Sequence, residues 1–374
     1  MPYFLKHHFD PDFDHRHLAP KERSDGSVDH YDLGYVQNVV ALQVLAEMLP
    51  LDQDGPGPQG FEERFVQDTD EFPAGPGTRV DPDNPDRLLA TRNGYVYYDA
   101  DNRIAVKGLL NVRRDVDFNT GNVAFVNNLV IHGGVRSGFR VRAVDVRVKD
   151  TVEGARIAAT GDVVCESGIK GGGEALIQAS GSIKAGFSEN AILVAGENVL
   201  IEGAALHNNI FAGNKLAVKG RVTGGEVHCL NYAYIGGQLG GGIGASTCVV
   251  AGYDPMLLYV DQKLNVRIKD LSRDLAELKI EAAKGAVFAK ELARPIEEAE
   301  KAMESLLNRK VAVWERIKAT ETLDTCKVMV GGTVKPGVEI SIGPAYFRAD
   351  EEMSDVRFTF KDNEIRVQSP AVEK

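Results

Sequence analysis

The stretch VEGARIAATGDVVCESGIKGGG, residues 152–173, contains one full period of a repeat that continues on both sides of it. The repeat is marked by residues that recur at steps of 17 or 18 positions: Val135, Val152, Ile169, Phe187, Ala205, Val222 and Leu239. Phe118 lies one further 17-residue step upstream. A fixed period of this length is typical of stacked units that bury their apolar sides only against their neighbours. The chain is therefore predicted to be a solenoid.

Further columns recur inside each period and define the type of solenoid. One 17-residue series is Val199, Leu216 and Ala233, and a second series begins two residues later at Ile201. A two-residue offset between apolar columns is the alternation of a β-strand. Glycine-rich corners such as VTGG at 222 follow the apolar beat, and glycine tolerates the positive φ of tight corners. The pattern predicts a mainly β fold, a single-stranded parallel β-helix.

The period changes at Asp254-Pro255, which is a good N-cap followed by a proline suited to the first helical turn. An apolar seam with alternating steps of four and three follows, interrupted by one acidic residue: Leu257, Asp261, Leu264, Ile268, Leu271, Leu275, Leu278 and Ala282. A second seam follows Pro295: Ile296, Ala299, Met303, Leu306, Lys310, Val313 and Ile317. Two matched heptad segments joined at Lys284-Gly285 predict an antiparallel coiled-coil hairpin.

These signals divide the chain into four parts. Residues 1–72 are expected to form a small N-terminal α/β module with an amphipathic helix from about Gly34 to Met48. Residues 73–253 and 326–350 form the β-helix, which residues 254–325 interrupt as the helical hairpin. Residues 351–374 form a C-terminal β-hairpin with Asp362-Asn363 at its tip, and Asp101-Asn102 is the turn of another hairpin.

Composition excludes several classes of partner. The formal net charge is −11, which argues against a nucleic-acid binder, because such a protein needs clustered lysine and arginine. No apolar run is long enough to span a membrane, and the N-terminal stretch MPYFLKHHFDPDFDHRH lacks the apolar core of a secretion signal. The four cysteines lie far apart without a metal-binding spacing. We expect a cytoplasmic protein that uses no cofactor.

The residues that could act as metal ligands or catalytic groups have a simpler, structural interpretation. His7, His8, His15 and His17, with Asp10, Asp12 and Asp14, could chelate a metal, but we expect a mobile polar terminus. His132, His207 and His228 are out of register with one another. Cys165 and Cys229 fall in apolar columns and are expected in the core. Arg136, Glu153, Lys170 and Ser188 are expected to form an outward polar ladder. No catalytic or metal-binding residues are predicted.

The order of these pieces resembles the FapA family of flagellar assembly proteins. The similar segments are GGVRSG, GDVVCESGIKGGG and GSIKAGFSENA, then the heptad hairpin, then the returning strand GGTVKPGVEISIG. The resemblance covers roughly residues 75–350 and leaves the N-terminal part of the chain as a different or divergent module. It implies a bacterial cytoplasmic protein with a right-handed β-helix, a projecting coiled coil and a non-enzymatic role in placing or regulating other proteins.

The leading functional hypothesis is a scaffold whose hairpin binds protein partners or a second copy of the chain. The candidate partner-binding residues are the seam positions Leu257, Leu264, Leu271, Leu278, Met303, Leu306 and Val313. One alternative is a carbohydrate-active β-helix enzyme, which needs converging carboxylates. Another is a hexapeptide-type acyltransferase, which needs a strict six-residue period that this chain lacks.

Overall fold

The computed structural model of the chain describes residues 2–20, 28–51, 58–242, 244–318 and 323–372. The chain divides into two compact units, Met1–Gly186 and Phe187–Lys374. Both units contain parallel rungs in which successive strands lie above one another, and the second unit also contains the helices. The predicted β-solenoid with an α insertion near its C-terminal end is confirmed.

The first unit begins with a small β region. Its antiparallel sheet has five strands, in the order Val66–Gln67, Tyr3–His7, Val44–Pro50, Arg87–Ala90 and Thr78–Val80. A second sheet consists of Asn38–Val39, Gly94–Tyr98 and Ile104–Lys107, and the turn beside it holds Asn102 at φ 56°, as predicted. The region also contains a short 3₁₀ helix, Glu63–Phe65.

The predicted amphipathic helix from Gly34 to Met48 is wrong, because this segment forms two strands. Leu42 has φ 68°, a left-handed conformation that separates Asn38–Val39 from Val44–Pro50. The second of these strands pairs with Tyr3–His7, so long-range pairing overrides the local helical spacing. The same pairing orders residues 3–7, so the expectation of a mobile N-terminus is also wrong there.

The rungs of the first unit form two parallel ladders. One ladder contains Leu109–Val112, Asn128–Ile131, Val146–Val148, Val163–Cys165 and Ile183–Ala185. The other contains Val123–Ala124, Arg140–Ala143, Arg156–Ala159 and Gly168–Ala179, with Thr151–Val152 paired to the last of these.

The predicted inward column of this unit is confirmed from Val135 to Ile169 and wrong at its first member. Val135, Val152 and Ile169 are fully buried and pair in succession. The residue that pairs below Val135 is Val116, which is also fully buried, whereas Phe118 is 62% exposed. The step from Val116 to Val135 is longer than the regular period, because the segment after Val116 forms a turn closed by hydrogen bonds to Asp117.

The second unit repeats this arrangement. One ladder contains Val199–Ile201, Lys215–Val218, Tyr232–Ile235 and Lys327–Val334 in parallel, then Met353–Lys361 and Glu364–Gln368 in antiparallel pairing. The other contains Ser188–Ala195, Ala205–Ala212, Val222–Cys229, Thr247–Ala251 and Glu339–Ile342 in parallel, then Ala345–Arg348 in antiparallel pairing.

The inward column of the second unit has a strict 17-residue period that starts at Ser188. Ser188 pairs with Ala205, Ala205 with Val222, and Val222 with Leu239. Phe187, the predicted member, is only half-buried, so the prediction is wrong by one residue. The pairing keeps its register through Ala205.

The strand after the helices returns to the stack. Lys327–Val334 pairs in parallel with Tyr232–Ile235, so the helices are inserted between two consecutive rungs of one ladder. The antiparallel strand Met353–Lys361 then covers that ladder. Asp362 and Asn363 both have positive φ at the tip of the last hairpin, which confirms the predicted turn. Closing a stack with antiparallel strands covers an edge that would otherwise attract further strands.

Two long helices form the insertion, α1 (Pro255–Ala282) and α2 (Ala286–Lys318), and a 3₁₀ turn, Leu323–Thr325, follows. The helix α2 begins well before Pro295, earlier than the seam after that proline suggested. A proline inside a helix loses one backbone hydrogen bond. The half-buried Leu292 extends the apolar line to the N-terminal side of Pro295, which accounts for the earlier start.

Candidate protein-binding hairpin

The start of the hairpin is built by local sequence. The Asp254 carboxylate accepts hydrogen bonds from the backbone N–H groups of Met256 at 2.8 Å and Leu257 at 3.4 Å. Pro255 occupies the first turn, where its missing N–H costs nothing. The predicted N-cap is therefore present, and it ties the first turn of α1 to the end of the preceding corner.

Side chains at the base of the helices, which we call the hairpin root, hold α1 and α2 together. Leu264, Val313 and Ile317 are buried there, and apolar neighbours pack around them: Tyr253, Leu257, Leu258, Val260 and Leu306. Tyr259 packs against Phe211 of strand Ala205–Ala212 with ring centroids 5.1 Å apart. Phe211 stacks in turn on His228 of the next rung at 4.6 Å. The root is thus seated on two rungs of its own unit.

A polar contact joins the two helices where the apolar seam is interrupted. Asp261 is buried in α1, and its Oδ2 accepts a hydrogen bond from the Asn265 side chain at 2.9 Å. Lys310 of α2 donates to the Asn265 side-chain oxygen. The two polar interruptions of the predicted seams therefore meet through one asparagine. A polar residue at such a position favours one register of the helices at a cost in stability.

The predicted partner-binding residues lie on the face that each helix turns toward the other. Leu264 and Val313 are buried, and the other five are half-buried: Leu257, Leu271, Leu278, Met303 and Leu306. Residues on either side of the distal positions, such as Ser272 and Lys279, are exposed. The seam is therefore largely covered by the packing of α1 against α2, and its role in binding a partner stays a prediction.

An exposed apolar face lies on α2 beside the seam. Leu307, Val311 and Trp314 are 47%, 62% and 39% exposed, and their spacing of four and three places them on one side of the helix. We call these three residues the outer stripe. It was missed in the sequence analysis because only one apolar seam was sought on each helix. The signal was the second heptad line, displaced by one residue from Leu306, Lys310 and Val313.

Charged side chains surround the apolar residues of the hairpin. Lys279 of α1 pairs with Glu300 of α2 at 2.7 Å. Other pairs lie within α2: Arg294 with Glu298, Lys301 with Glu297 and Lys318 with Glu315. Exposed pairs of this kind contribute at most about 1 kcal/mol each to stability. Their chief effect is to make the surface around the outer stripe polar, so that the stripe stands out as an apolar patch on this face of α2.

The histidines and aspartates of the N-terminal segment are engaged separately. His7 shares a hydrogen bond with the Tyr98 hydroxyl at 2.6 Å, and burial lowers its pKa to about 4. His8 lies 3.2 Å from Glu47, and His17 lies 2.9 Å from Asp14. Within the described residues no group of three metal-ligating side chains comes together. These residues stabilise the β region individually.

An aromatic cleft lies beside these histidines. It has a volume of about 240 Å³, and its walls include Phe9, Phe13, Tyr35, Tyr95 and Tyr97. Burial raises the pKa of Tyr35 and Tyr95 above its ordinary value. The Gln37 side chain hydrogen bonds to the backbone of Asp10 in both directions, at 2.7 and 2.8 Å, and thereby holds the wall of the cleft in place.

The rung residues that were considered as candidate catalytic groups have structural roles. Arg136 bridges Asp115 and Glu153 at 2.6 Å to each, so the first part of the predicted polar ladder is present. The backbone N–H of Gly134 and the Arg136 guanidinium hold the pKa of Asp115 below its usual range. Cys165 is fully buried, and burial raises the pKa of its thiol to about 12.

The rung cysteines and histidines make separate side-chain contacts. Cys229 is fully buried as predicted, with a thiol pKa raised to about 12 by burial. His132 shares a hydrogen bond with Asn111 at 3.2 Å, His207 has φ 52°, and His228 is buried beneath Phe211. Among the rung residues that the structure describes, no histidine is paired with a cysteine in the arrangement that a nucleophile requires.

Ser188 does not belong to the outward ladder, contrary to expectation, because it is fully buried. Its hydroxyl donates to the Asn208 side-chain oxygen at 3.0 Å, and the Asn208 amide donates to the Ser188 carbonyl at 2.9 Å. The backbone N–H of Ala191 also donates to Asn208 at 3.0 Å. Ser188 thus takes an inward position that is apolar in the neighbouring rungs, and Asn208 satisfies its hydrogen bonds. A single sequence does not reveal that a polar residue occupies a buried position.

The fold and the insertion together define the class of protein: it is a β-solenoid with a two-helix hairpin inserted between its rungs. The chain matches the family model for the Flagellar Assembly Protein A beta solenoid domain over residues 109–365. It also matches the model for the Flagellar Assembly Protein A N-terminal region over residues 5–102. The chain therefore belongs to the FapA family. Of the two alternatives left open for the N-terminal part of the chain, this match favours a divergent form of the family's own N-terminal region over a different module.

Individual relatives add nothing to this assignment. Neither the curated proteins nor the solved structures gave a match. In the described part of the chain, no helix combines the length and the apolar character needed to cross a membrane.

Proposed function

We propose that this protein is a non-catalytic factor of flagellar assembly that acts in the cytoplasm by binding protein through its helical hairpin. The observation that carries the proposal is the outer stripe. It exposes Leu307, Val311 and Trp314 on a helix whose root is seated on the solenoid. Exposed aromatic and aliphatic side chains at helical spacing are typical of surfaces that bind another helix.

The surrounding molecule supports a binding role over a catalytic one. Two carboxylates that the rungs bring together, Asp115 and Glu153, are bridged by Arg136. Glycoside cleavage requires two carboxyl groups on opposite sides of a bound sugar. The family assignment supplies the flagellar context, and the hairpin supplies a surface suited to a protein partner.

The test uses the full-length chain in a flagellated host that lacks its own copy. We expect a variant with Leu307→Glu and Val311→Glu to accumulate normally but to restore swimming no better than an empty vector. A matched control changes the exposed Arg136 and the half-buried Glu153 of the solenoid, Arg136→Ala with Glu153→Ala, and should swim as the wild type does. Normal swimming by the hairpin variant would contradict the proposed function.

A further inference from the structure

The line of residues that contains the outer stripe is symmetric along α2. Three alanines, Glu300 and the three residues of the outer stripe are exposed and lie at steps of three, four, seven, seven, four and three: Ala286, Ala289, Ala293, Glu300, Leu307, Val311 and Trp314. The exposed Glu297 and Glu304 lie in the two seven-residue gaps and make the centre of the line acidic. Steps of three, four and seven keep residues on one side of a helix. The half near the root is bulky and the distal half is alanine, with Glu300 at the centre.

We propose that this line binds the same line of a second copy of the chain, with the two α2 helices antiparallel and the two-fold axis at Glu300. The proposal rests on the hairpin being the binding element of the proposed function, and it names the partner. In this pairing Trp314 lies opposite Ala286, Val311 opposite Ala289, and Leu307 opposite Ala293. Each bulky side chain thus meets a small one, which lets the two helices approach closely.

The spacing favours a second copy over an unrelated helix. An unrelated partner would need only the outer stripe, and the distal alanines could then stand at any position. Here the alanines lie at the same distances from Glu300 as the three bulky residues, in the opposite direction. A two-fold contact requires this mirror relation, because each surface must be complementary to itself.

The charges of the two halves are also complementary. The root half, residues 254–270 and 301–318, has eight basic and five acidic residues. The distal half, residues 271–300, has five basic and seven acidic residues. Antiparallel pairing places the basic half of one copy beside the acidic half of the other. At the centre, Glu300 is paired with Lys279 of its own hairpin at 2.7 Å and Glu297 with Lys301 at 2.6 Å, which reduces repulsion among the glutamates there.

Net charge also points to the hairpin as the place of self-association. Residues 254–318 have thirteen basic and twelve acidic side chains, so the chain's net charge of −11 lies outside this segment. Two copies repel each other through the rest of their surfaces at low ionic strength. A contact limited to the hairpins brings together the segments that carry almost no net charge.

The first experiment measures the mass of the full-length protein in solution by sedimentation velocity over a range of concentrations. We expect a monomer–dimer equilibrium in the wild type and at least a tenfold weaker one in Trp314→Glu. The control is Val266→Glu on α1, because Val266 is 59% exposed but lies away from the line. Circular dichroism checks that both variants keep their helices. A wild type that stays monomeric at every concentration, or equal weakening by the control, would overturn the proposal.

The second experiment tests the register. Val311→Cys combined with Ala289→Cys should form an intermolecular disulfide when the folded protein is treated with diamide as the oxidant. Val311→Cys combined with Ala302→Cys is the control, since Ala302 is exposed on another side of α2. We expect at least tenfold less cross-linked dimer in the control. Equal cross-linking in both would rule out this register. If the wild type stays monomeric while Leu307→Glu with Val311→Glu still abolishes swimming, the proposal of a second copy as partner is rejected. The proposed function then stands, with a different protein as the partner.

Discussion

The solenoid rungs and the helical hairpin bury their apolar residues to very different degrees. The inward columns of the second unit, such as Ala205 and Val222, are at most 1% exposed. In the hairpin, Leu264, Val313 and Ile317 are the buried apolar residues of the seam, and the distal positions are half-buried. Each rung is covered by rungs on either side, whereas each helix is covered by one other helix. The number of neighbours therefore decides how much of an apolar residue is removed from water.

This contrast bears on where function is found. A rung with fully buried columns has few apolar groups left for partners, and its polar surface is engaged in ladders such as that of Arg136. The hairpin leaves Leu307, Val311 and Trp314 exposed because no third helix in the described part of the chain covers them. Elements with few buried contacts also open most readily, so we expect the hairpin to be the less protected region.

The largest expected difference is in thiol labelling of native protein. Cys165 is fully buried with a raised pKa, so it should react only when the fold opens. A cysteine introduced by Leu278→Cys, at a half-buried seam position, should react at least about 1,000-fold faster, because local opening of the hairpin suffices. Mass spectrometry of the labelled peptides over time measures both rates. Similar rates would mean that the two regions open together.

Removing a rung side chain should lower stability strongly. Ile210 is fully buried and pairs with Leu193 and Val227 of the adjacent rungs. We expect Ile210→Ala to reduce the free energy of unfolding by about 3 kcal/mol, because the neighbouring rungs cannot close the cavity. Leu271→Ala in the half-buried seam should cost only about 1 kcal/mol. Urea titration followed by circular dichroism compares them, and an equal loss would contradict the contrast in burial.

Mutations in the buried polar cluster of the solenoid should cause the next largest loss in the free energy of unfolding. Asn208→Ala leaves the Ser188 hydroxyl and the Ala191 N–H without their acceptor, so we expect a loss of about 2 kcal/mol. Ser188→Ala removes one donor and should cost about 1 kcal/mol. Thermal unfolding monitored at several wavelengths measures both. An Asn208→Ala protein as stable as the wild type would show that water replaces the lost partner.

The smallest expected change has the opposite sign. Asp261 is a buried acid in the hairpin seam, and its Oδ1 has no hydrogen-bond partner among the described residues. We expect Asp261→Leu to stabilise the hairpin by about 1 kcal/mol, because an apolar residue there avoids burying an oxygen that lacks a hydrogen-bond partner. Protection of α1 amides in hydrogen exchange measures the effect. Asn265→Ala is the control. It should lower that protection, because it removes the hydrogen bonds that Asn265 makes with Asp261 and Lys310.

Several elements were predictable because their signals are local or strictly periodic. The Asp254 cap, the Asp362-Asn363 turn and the column from Val135 to Ile169 each depend on neighbouring residues or on a constant step. The segment from Gly34 to Met48 was misassigned because its apolar spacing fits a helix, while its pairing partner, Tyr3–His7, lies far away along the chain. A pairing over such a separation leaves little trace in the local pattern.

The amino-acid sequence by itself determined that this protein is a solenoid interrupted by two helices, since repetition and heptad spacing follow from the geometry of strands and helices. Tertiary structure alone decided that Ser188 lies in a buried column and Leu307 on the surface. Burial depends on which neighbours arrive from elsewhere in the chain. Asn208 satisfies the buried serine, and no element in the described part of the chain covers the outer stripe.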